Sequence, residues 1–204
     1  MADFVTPVGR VSFPSLFETN KNGKYEATIL LDKTEDKVKA FIPKLKAVIK
    51  AKIEEEWPKA DKRPNVKAMN FALKDGDSEV TTGKHQGKTW AEVRPENAGH
   101  WMITARSQTA PNVVDQNRDD IPASQAATIK AGHNGRCSFN VYAYDNETVG
   151  IGFGLQNFQY AGKNTEFGNR SRPNDDFDDL DPDLADLGGP VDGVEAADDD
   201  DFLS

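Results

Sequence analysis

Apolar and polar residues alternate along several stretches of the chain, and a period of two marks strands with one face turned to a core. In Lys24 to Leu31, the residues Tyr25, Ala27, Ile29 and Leu31 alternate with Lys24, Glu26 and Thr28, which predicts a half-buried strand. His100 to Ser107, Gly135 to Asp145 and Thr148 to Gly162 also read as strands, with Asn146-Glu147 as a hairpin turn between the last two. The opening run Phe4 to Phe13 is β-prone, and Pro7 and Gly9 place an edge or a bulge within it.

One segment follows the helical period instead. Val38, Phe41, Ile42, Leu45, Val48, Ile49 and Ile53 recur at spacings of three and four, predicting a helix from about Glu35 to Trp57 with Thr34 as its N-cap. Pro43 lies inside this stripe and predicts a kink or a two-piece helix. From Pro58 to about Gly99 the chain is polar and turn-rich, the pattern of a long loop or hairpin. The order is strands, one helix, a loop-rich insertion and strands again, without the strand-helix alternation of a parallel sheet. The expected class is therefore mainly β with one main helix. Of the small antiparallel folds, a five-stranded barrel of the oligonucleotide-binding (OB) type accommodates this order best, with a sandwich left open.

Charge divides the chain in two. Over all 204 residues the net charge is −9, which by itself argues against a nucleic-acid partner. Residues 173–204 hold twelve Asp, one Glu and no Lys or Arg, a charge of −13 that leaves +4 on residues 1–172. The expected organisation is a mildly basic domain over 1–172 and a disordered acidic tail over 173–204. Cys137 is the single cysteine, so no internal disulfide forms. No stretch approaches the roughly 20 apolar residues of a membrane span, and the start lacks an export signal. These features fit a reducing cytoplasm.

Enzyme signatures are incomplete. Gly83-Lys-His-Gln-Gly87-Lys88-Thr89 approaches the phosphate-cradling pattern G-x-x-x-x-G-K-S/T, but its first glycine would fall on Thr82. Gly150-Ile-Gly-Phe-Gly154 is a strand with Ile151, Phe153 and Leu155 on one face, not a dinucleotide loop. Asp75, Asp77 and Glu79 lack the ligand spacing of a calcium loop. No catalytic residue, cofactor or metal is expected.

Sequence-tolerant binding of a single strand needs cations along the phosphates and aromatic faces on which bases stack. Alternation in Arg136 to Tyr144 puts Cys137, Phe139, Val141 and Ala143 on a core face and Arg136, Ser138, Asn140, Tyr142 and Tyr144 on the other. That second face mixes an arginine, an amide and two tyrosines, which suits stacking and phosphate contact as well as it suits an ordinary solvated strand. In the same way Trp101 is expected inside and Arg106 outside. Trp90, between Lys88 and Arg94 in a polar loop, is a further stacking candidate. The candidate nucleic-acid site is thus Tyr142, Tyr144, Arg136, Asn140, Arg106 and Trp90, with the loop cations Lys67 and Lys88. The helix lysines are left out, because a solvated face explains them equally well.

The chain closes on Asp198, Asp199, Asp200, Asp201 and Phe202, charge followed by an aromatic ring, an end suited to a partner's basic-rimmed apolar pocket. Together with Phe4-Val-Thr-Pro-Val-Gly-Arg-Val-Ser-Phe-Pro, Tyr25-Glu-Ala-Thr-Ile-Leu-Leu-Asp-Lys and Gly150-Ile-Gly-Phe-Gly-Leu-Gln-Asn-Phe-Gln, this end resembles the single-stranded-DNA-binding proteins of tailed bacteriophages, including those of enterobacterial phages. The resemblance covers nearly the whole chain. It implies an OB barrel that coats single strands during phage replication and recombination in the cytoplasm of the infected host. It also implies a tail that recruits phage or host replication proteins, and it leaves self-association on DNA open. The alternative reading is a phage DNA mimic whose acidic face inhibits a basic host protein; the positive charge of residues 1–172 argues against it.

Overall fold

The computed structural model describes residues 4–168, apart from positions 60, 62, 82 and 147 and the side chain of Lys67. The candidate tail residues Asp198 to Phe202 lie outside the described residues.

The predicted strands form where alternation places them. β1 (Phe4–Val5), β2 (Gly9–Ser15), β3 (Tyr25–Asp32), β6 (His100–Ser107), β8 (Asn134–Asp145) and β9 (Val149–Gly162) join three short strands, β4 (Asn70–Phe71), β5 (Leu73–Asp75) and β7 (Asn112–Val114), in one nine-stranded sheet. β2 pairs with β3, β3 with β6, β6 with β9, β9 with β8, and β8 again with β2. The β3–β6 ladder is unbroken from Tyr25 opposite Ser107 to Asp32 opposite His100. β8 and β9 form the expected hairpin, Asp145 facing Val149.

The interior takes one face of each long strand. Val11, Ile29, Leu31, Ile103, Phe139, Phe153 and Phe158 are buried in one cluster. The Phe139 ring lies 4.6 Å from that of Phe153 and 5.7 Å from that of Phe4, so β1 is tied to the core by aromatic packing. β3 departs from the expected half-burial. Its outward residues Thr28 and Leu30 are buried as well, because Thr28 Oγ1 and Thr104 Oγ1 bond across the ladder at 2.9 Å and Leu30 meets Met102.

α1 (Asp36–Glu56) closes one side of the core with Val38, Ile42, Leu45, Ile49 and Ile53. Val48, expected in this stripe, is 37% exposed. The helix runs through Pro43 as one element rather than two. Proline costs about 3 kcal/mol inside a helix. Five buried aliphatic side chains at about 1.5–3 kcal/mol each outweigh that cost, and Pro43 sits on the exposed side of the helix. Thr34 is not the cap: Glu35 occupies that position, and the Asp32 carboxylate instead accepts the Thr34 N–H at 2.7 Å and its hydroxyl at 2.6 Å.

The polar stretch after the helix contains more order than its composition suggests. β4 runs parallel to β9, β5 pairs antiparallel with β6, and α2 (Trp90–Val93) is one turn closed by a capping box between Thr89 and Glu92. Thr89, the last residue of the near-miss phosphate loop, is therefore a cap. Asp75 and Asp77 face Lys33, in an ion pair and at 2.6 Å respectively. Among the described residues no group of three or more His, Cys, Asp or Glu is placed to hold a metal ion, and no helix is long and apolar enough to cross a membrane.

Candidate nucleic-acid interface

β8 carries Asn140, Tyr142 and Tyr144 on its outward face, and each stands opposite a glycine of β9: Gly154, Gly152 and Gly150 in turn. The sequence folds this way because only glycine leaves room for the neighbouring side chain to lie flat across the strand. A Cβ on Gly152 would come within 2.5 Å of the Tyr142 ring, one on Gly150 within 2.5 Å of the Tyr144 hydroxyl, and one on Gly154 within 2.3 Å of the Asn140 amide oxygen. The alternating glycines of Gly150-Ile-Gly-Phe-Gly154 are thus the floor on which two tyrosines rest, while Ile151 and Phe153 turn into the core.

Above this floor is an open groove of about 650 Å³ lined by Tyr142, Tyr144, Arg106, Lys74, Lys24 and Thr104, among others. The two rings are 6.2 Å apart and inclined at 48°, and Tyr142 is 39% exposed. Burial, reinforced by Tyr142, raises the Tyr144 phenol above its ordinary value against the opposing influence of Thr148 and Arg106. It stays a neutral ring that can stack or donate. Arg106 points out of β6 as alternation predicts and pairs with Glu26 at 2.5 Å.

Lys74 is a groove residue that sequence reasoning missed, since β5 is three residues long and its partner β6 lies well downstream. Its ammonium sits 4.0 Å over the Trp90 ring. Desolvation, with a smaller contribution from Arg106, lowers its pKa. Trp90 is accordingly half-buried beside the groove, one side covered by a lysine that also lines it. Lys24, on the polar side of the alternation that predicts β3, also lines the groove but was not among the candidate site residues.

The other candidates are spread out. Arg136 is on the same face of β8 but at its opposite end, bonded to Gln159 Oε1 at 2.8 Å. It lines a second depression with Arg10, Lys37 and His100, where Asp32 and Glu35 offset the positive charge. Asn140 lies between the two regions and accepts a 3.0 Å bond from Gln156. Lys88 is exposed on the loop before α2 and does not line the groove. Lys67 belongs to a 3₁₀ turn at Val66–Ala68, with its side chain outside the described residues. Tyr142, Tyr144 and Arg106 are therefore brought together, Trp90 adjoins them through Lys74, and Arg136 and Lys88 stand apart.

Cations around two floor-supported aromatic rings, Tyr142 exposed and Tyr144 half-buried, form a surface suited to a polyanion with stackable bases. Among solved structures, the fold is similar to that of the single-stranded DNA-binding protein from bacteriophage Enc34, with a TM-score of 0.66 and 22% identity over 85% of this chain and 89% of that one. The same protein in complex with single-stranded DNA gives 0.65 and 22%, over 80% of this chain and 88% of that one. Gp2.5, a single-stranded DNA-binding protein encoded by bacteriophage T7, gives 0.54 and 12%, over 95% and 98%. At these identities the likeness establishes the fold. No curated protein matches the chain. The sequence model of the family described as the ssDNA-binding protein of Enterobacter phage Enc34 matches residues 2–187, and the chain belongs to that family.

Proposed function

We propose that the chain is a non-enzymatic single-stranded-DNA-binding protein that coats single strands without sequence preference during phage DNA replication and recombination in the infected cell. The observation that carries this reading is the pair Tyr142 and Tyr144, laid on a glycine floor and surrounded by Lys24, Lys74 and Arg106. Bases stack on such rings whatever their identity, because every base has a π face, and the cations track the phosphates. Family membership and the likeness to a structure that holds single-stranded DNA support the same ligand.

The finer architecture follows the same reading. Residues 1–172 are an OB-type barrel, supported by the circuit of five strands in which β8 pairs with both β2 and β9. Residues 173–204 are an acidic tail that competes with DNA for the basic domain and offers Asp198 to Asp201 and Phe202 to phage or host replication proteins. Its charge of −13 beside a domain of +4 supports the competition. Fluorescence-polarisation titration of the full chain and of a chain ending at residue 172, at two salt concentrations, tests both parts. Tighter binding by the shortened chain is expected. Equal affinities would remove the competition, and absence of binding by either would remove the function.

A further inference from the structure

An aromatic side chain of β2 stands outside the groove and adopts a backbone conformation that a regular ladder would not impose. Val11 is fully buried and Ser12 faces Thr28, so alternation would turn position 13 back toward the core. Instead the β2–β3 register breaks between Ser12 and Ser15, Phe13 takes φ +44°, and its side chain is left 48% exposed. Left-handed backbone is disfavoured for a bulky residue, and an exposed phenylalanine forgoes its burial energy. Two local penalties at one residue point to something the fold retains for a purpose other than its own stability.

The surroundings of Phe13 say what that purpose is. The Arg94 guanidinium lies 4.2 Å over the Phe13 ring. Arg94 follows directly on α2, whose first residue, Trp90, lies under the groove residue Lys74. Ser12 and Thr28, between Phe13 and the groove residue Thr104, are buried, so the connection at the surface runs instead through Lys74, which lines the groove, Trp90 beneath it, and Arg94 at the end of α2. That line of side chains leads from the Tyr142–Tyr144 groove to another aromatic ring with its own cation.

We propose that Phe13, backed by Arg94, is a second base-stacking station, reached by a single strand that leaves the Tyr142–Tyr144 groove past Lys74 and follows Trp90 and Arg94 to the β2 bulge. The inference rests on the groove being a single-strand site. Arg94 holds one side of the ring and brings a positive charge next to a phosphate, while the exposed part of the ring receives a base.

The test uses the full chain, its Phe13→Gly and Phe13→Tyr variants, and oligothymidylates from about 4 to about 16 nucleotides, the range a barrel of this type covers. For the unsubstituted chain, affinity should rise in a step once the strand is long enough to reach Phe13. Phe13→Gly should leave the shortest oligonucleotides unaffected and weaken the longest by about tenfold. Phe13→Tyr should retain the step. Glycine accepts φ +44°, so Phe13→Gly should melt no lower than the unsubstituted chain, whereas a ring needed for packing would lower the melting temperature. Equal affinities at every length, or an equal loss at every length, would overturn the inference and leave the groove standing. Loss of self-association in sedimentation velocity alongside the affinity loss would assign Phe13 to a contact between copies and overturn it too. Absence of binding by the unsubstituted chain would overturn the groove reading itself, and this inference with it.

Discussion

Tyr142 lies so close over Gly152 of the neighbouring strand that a single methyl group at position 152 would come within 2.5 Å of the ring. The atoms it would meet are the far end of an exposed side chain, which can swing away at small cost to the fold. Gly152→Ala should therefore weaken oligonucleotide binding to about the level of Tyr142→Ala while moving the melting temperature by only a few degrees. Gly76→Ala is the contrast, because its Cβ would fall 1.9 Å from the backbone oxygen of Asn97, which cannot move independently. That variant should lose stability first. Paired thermal melts and titrations separate the two, and intact binding by Gly152→Ala would mean that the ring orientation is irrelevant.

Tyr142→Ala and Tyr144→Ala should each weaken binding by about 1–3 kcal/mol, the worth of one base stack. The 39% exposure of Tyr142 predicts a nearly unchanged melting temperature for its variant, and the half-buried Tyr144 a moderate decrease. A large loss of stability on removing Tyr142 would make it a packing residue instead.

Much of this site was legible because period-two alternation is local information. The outward placement of Arg106, Tyr142 and Tyr144 and the burial of Cys137, Phe139 and Val141 follow from neighbours two residues away. What was not legible depends on partners distant in sequence. β4 and β7 are two- and three-residue strands that exist only because β9 offers a parallel edge, and β5 brings Lys74 into the groove only through β6. Alternation correctly put Arg136 on the Tyr142 face but carries no distance, and β8 is twelve residues long, so the two ends of that face serve different depressions. Phe13 escaped because its outward turn comes from a bulge, which no period encodes.

Glu26 pairs with Arg106 beside the groove and so holds one of its cations while adding a negative charge. Glu26→Gln should tighten oligonucleotide binding by about two- to fivefold, in keeping with the roughly 0.2–1 kcal/mol of an exposed ion pair, and the gain should shrink at high salt. Weaker binding by this variant would show that the pair positions Arg106 for the strand.

Lys74 should act on the salt dependence of binding. If its ammonium neutralises one phosphate, Lys74→Gln lowers the slope of log affinity against log salt by about 0.7. Desolvation first, and Arg106 second, lower the Lys74 pKa below 10.5, so its proton is lost earlier than that of an ordinary lysine as the pH rises. Affinity should accordingly begin to fall at a lower pH than an ordinary lysine would set, and Lys74→Arg should abolish that early fall. Titrations over salt and pH measure both, and an unchanged slope in Lys74→Gln would place Lys74 off the strand.

Lys33 fastens the turn after β5 to the end of β3 through Asp75 and Asp77, and the Asp77 Oδ1 also accepts the Gly99 N–H at 2.9 Å. The bond from Lys33, followed by that from Gly99, holds the Asp77 carboxyl below its ordinary 3.8, while the Lys33 ammonium is raised by the two carboxylates against the effect of burial. A carboxyl depressed in the folded state contributes stability that is complete above its unfolded value and is lost as the pH falls through its folded value. Asp77→Asn should thus melt below the unsubstituted chain by a constant margin at neutral and mildly acidic pH. Below 3.8 that margin should close, because the native carboxyl is then protonated as well. Asp32 and Glu92 are depressed too, so both proteins lose stability on acidification, and only the difference between them isolates Asp77. Melting curves by circular dichroism from neutral pH down to about pH 2 give the margin directly, and one that persisted or widened there would contradict the assignment of this carboxylate as the anchor.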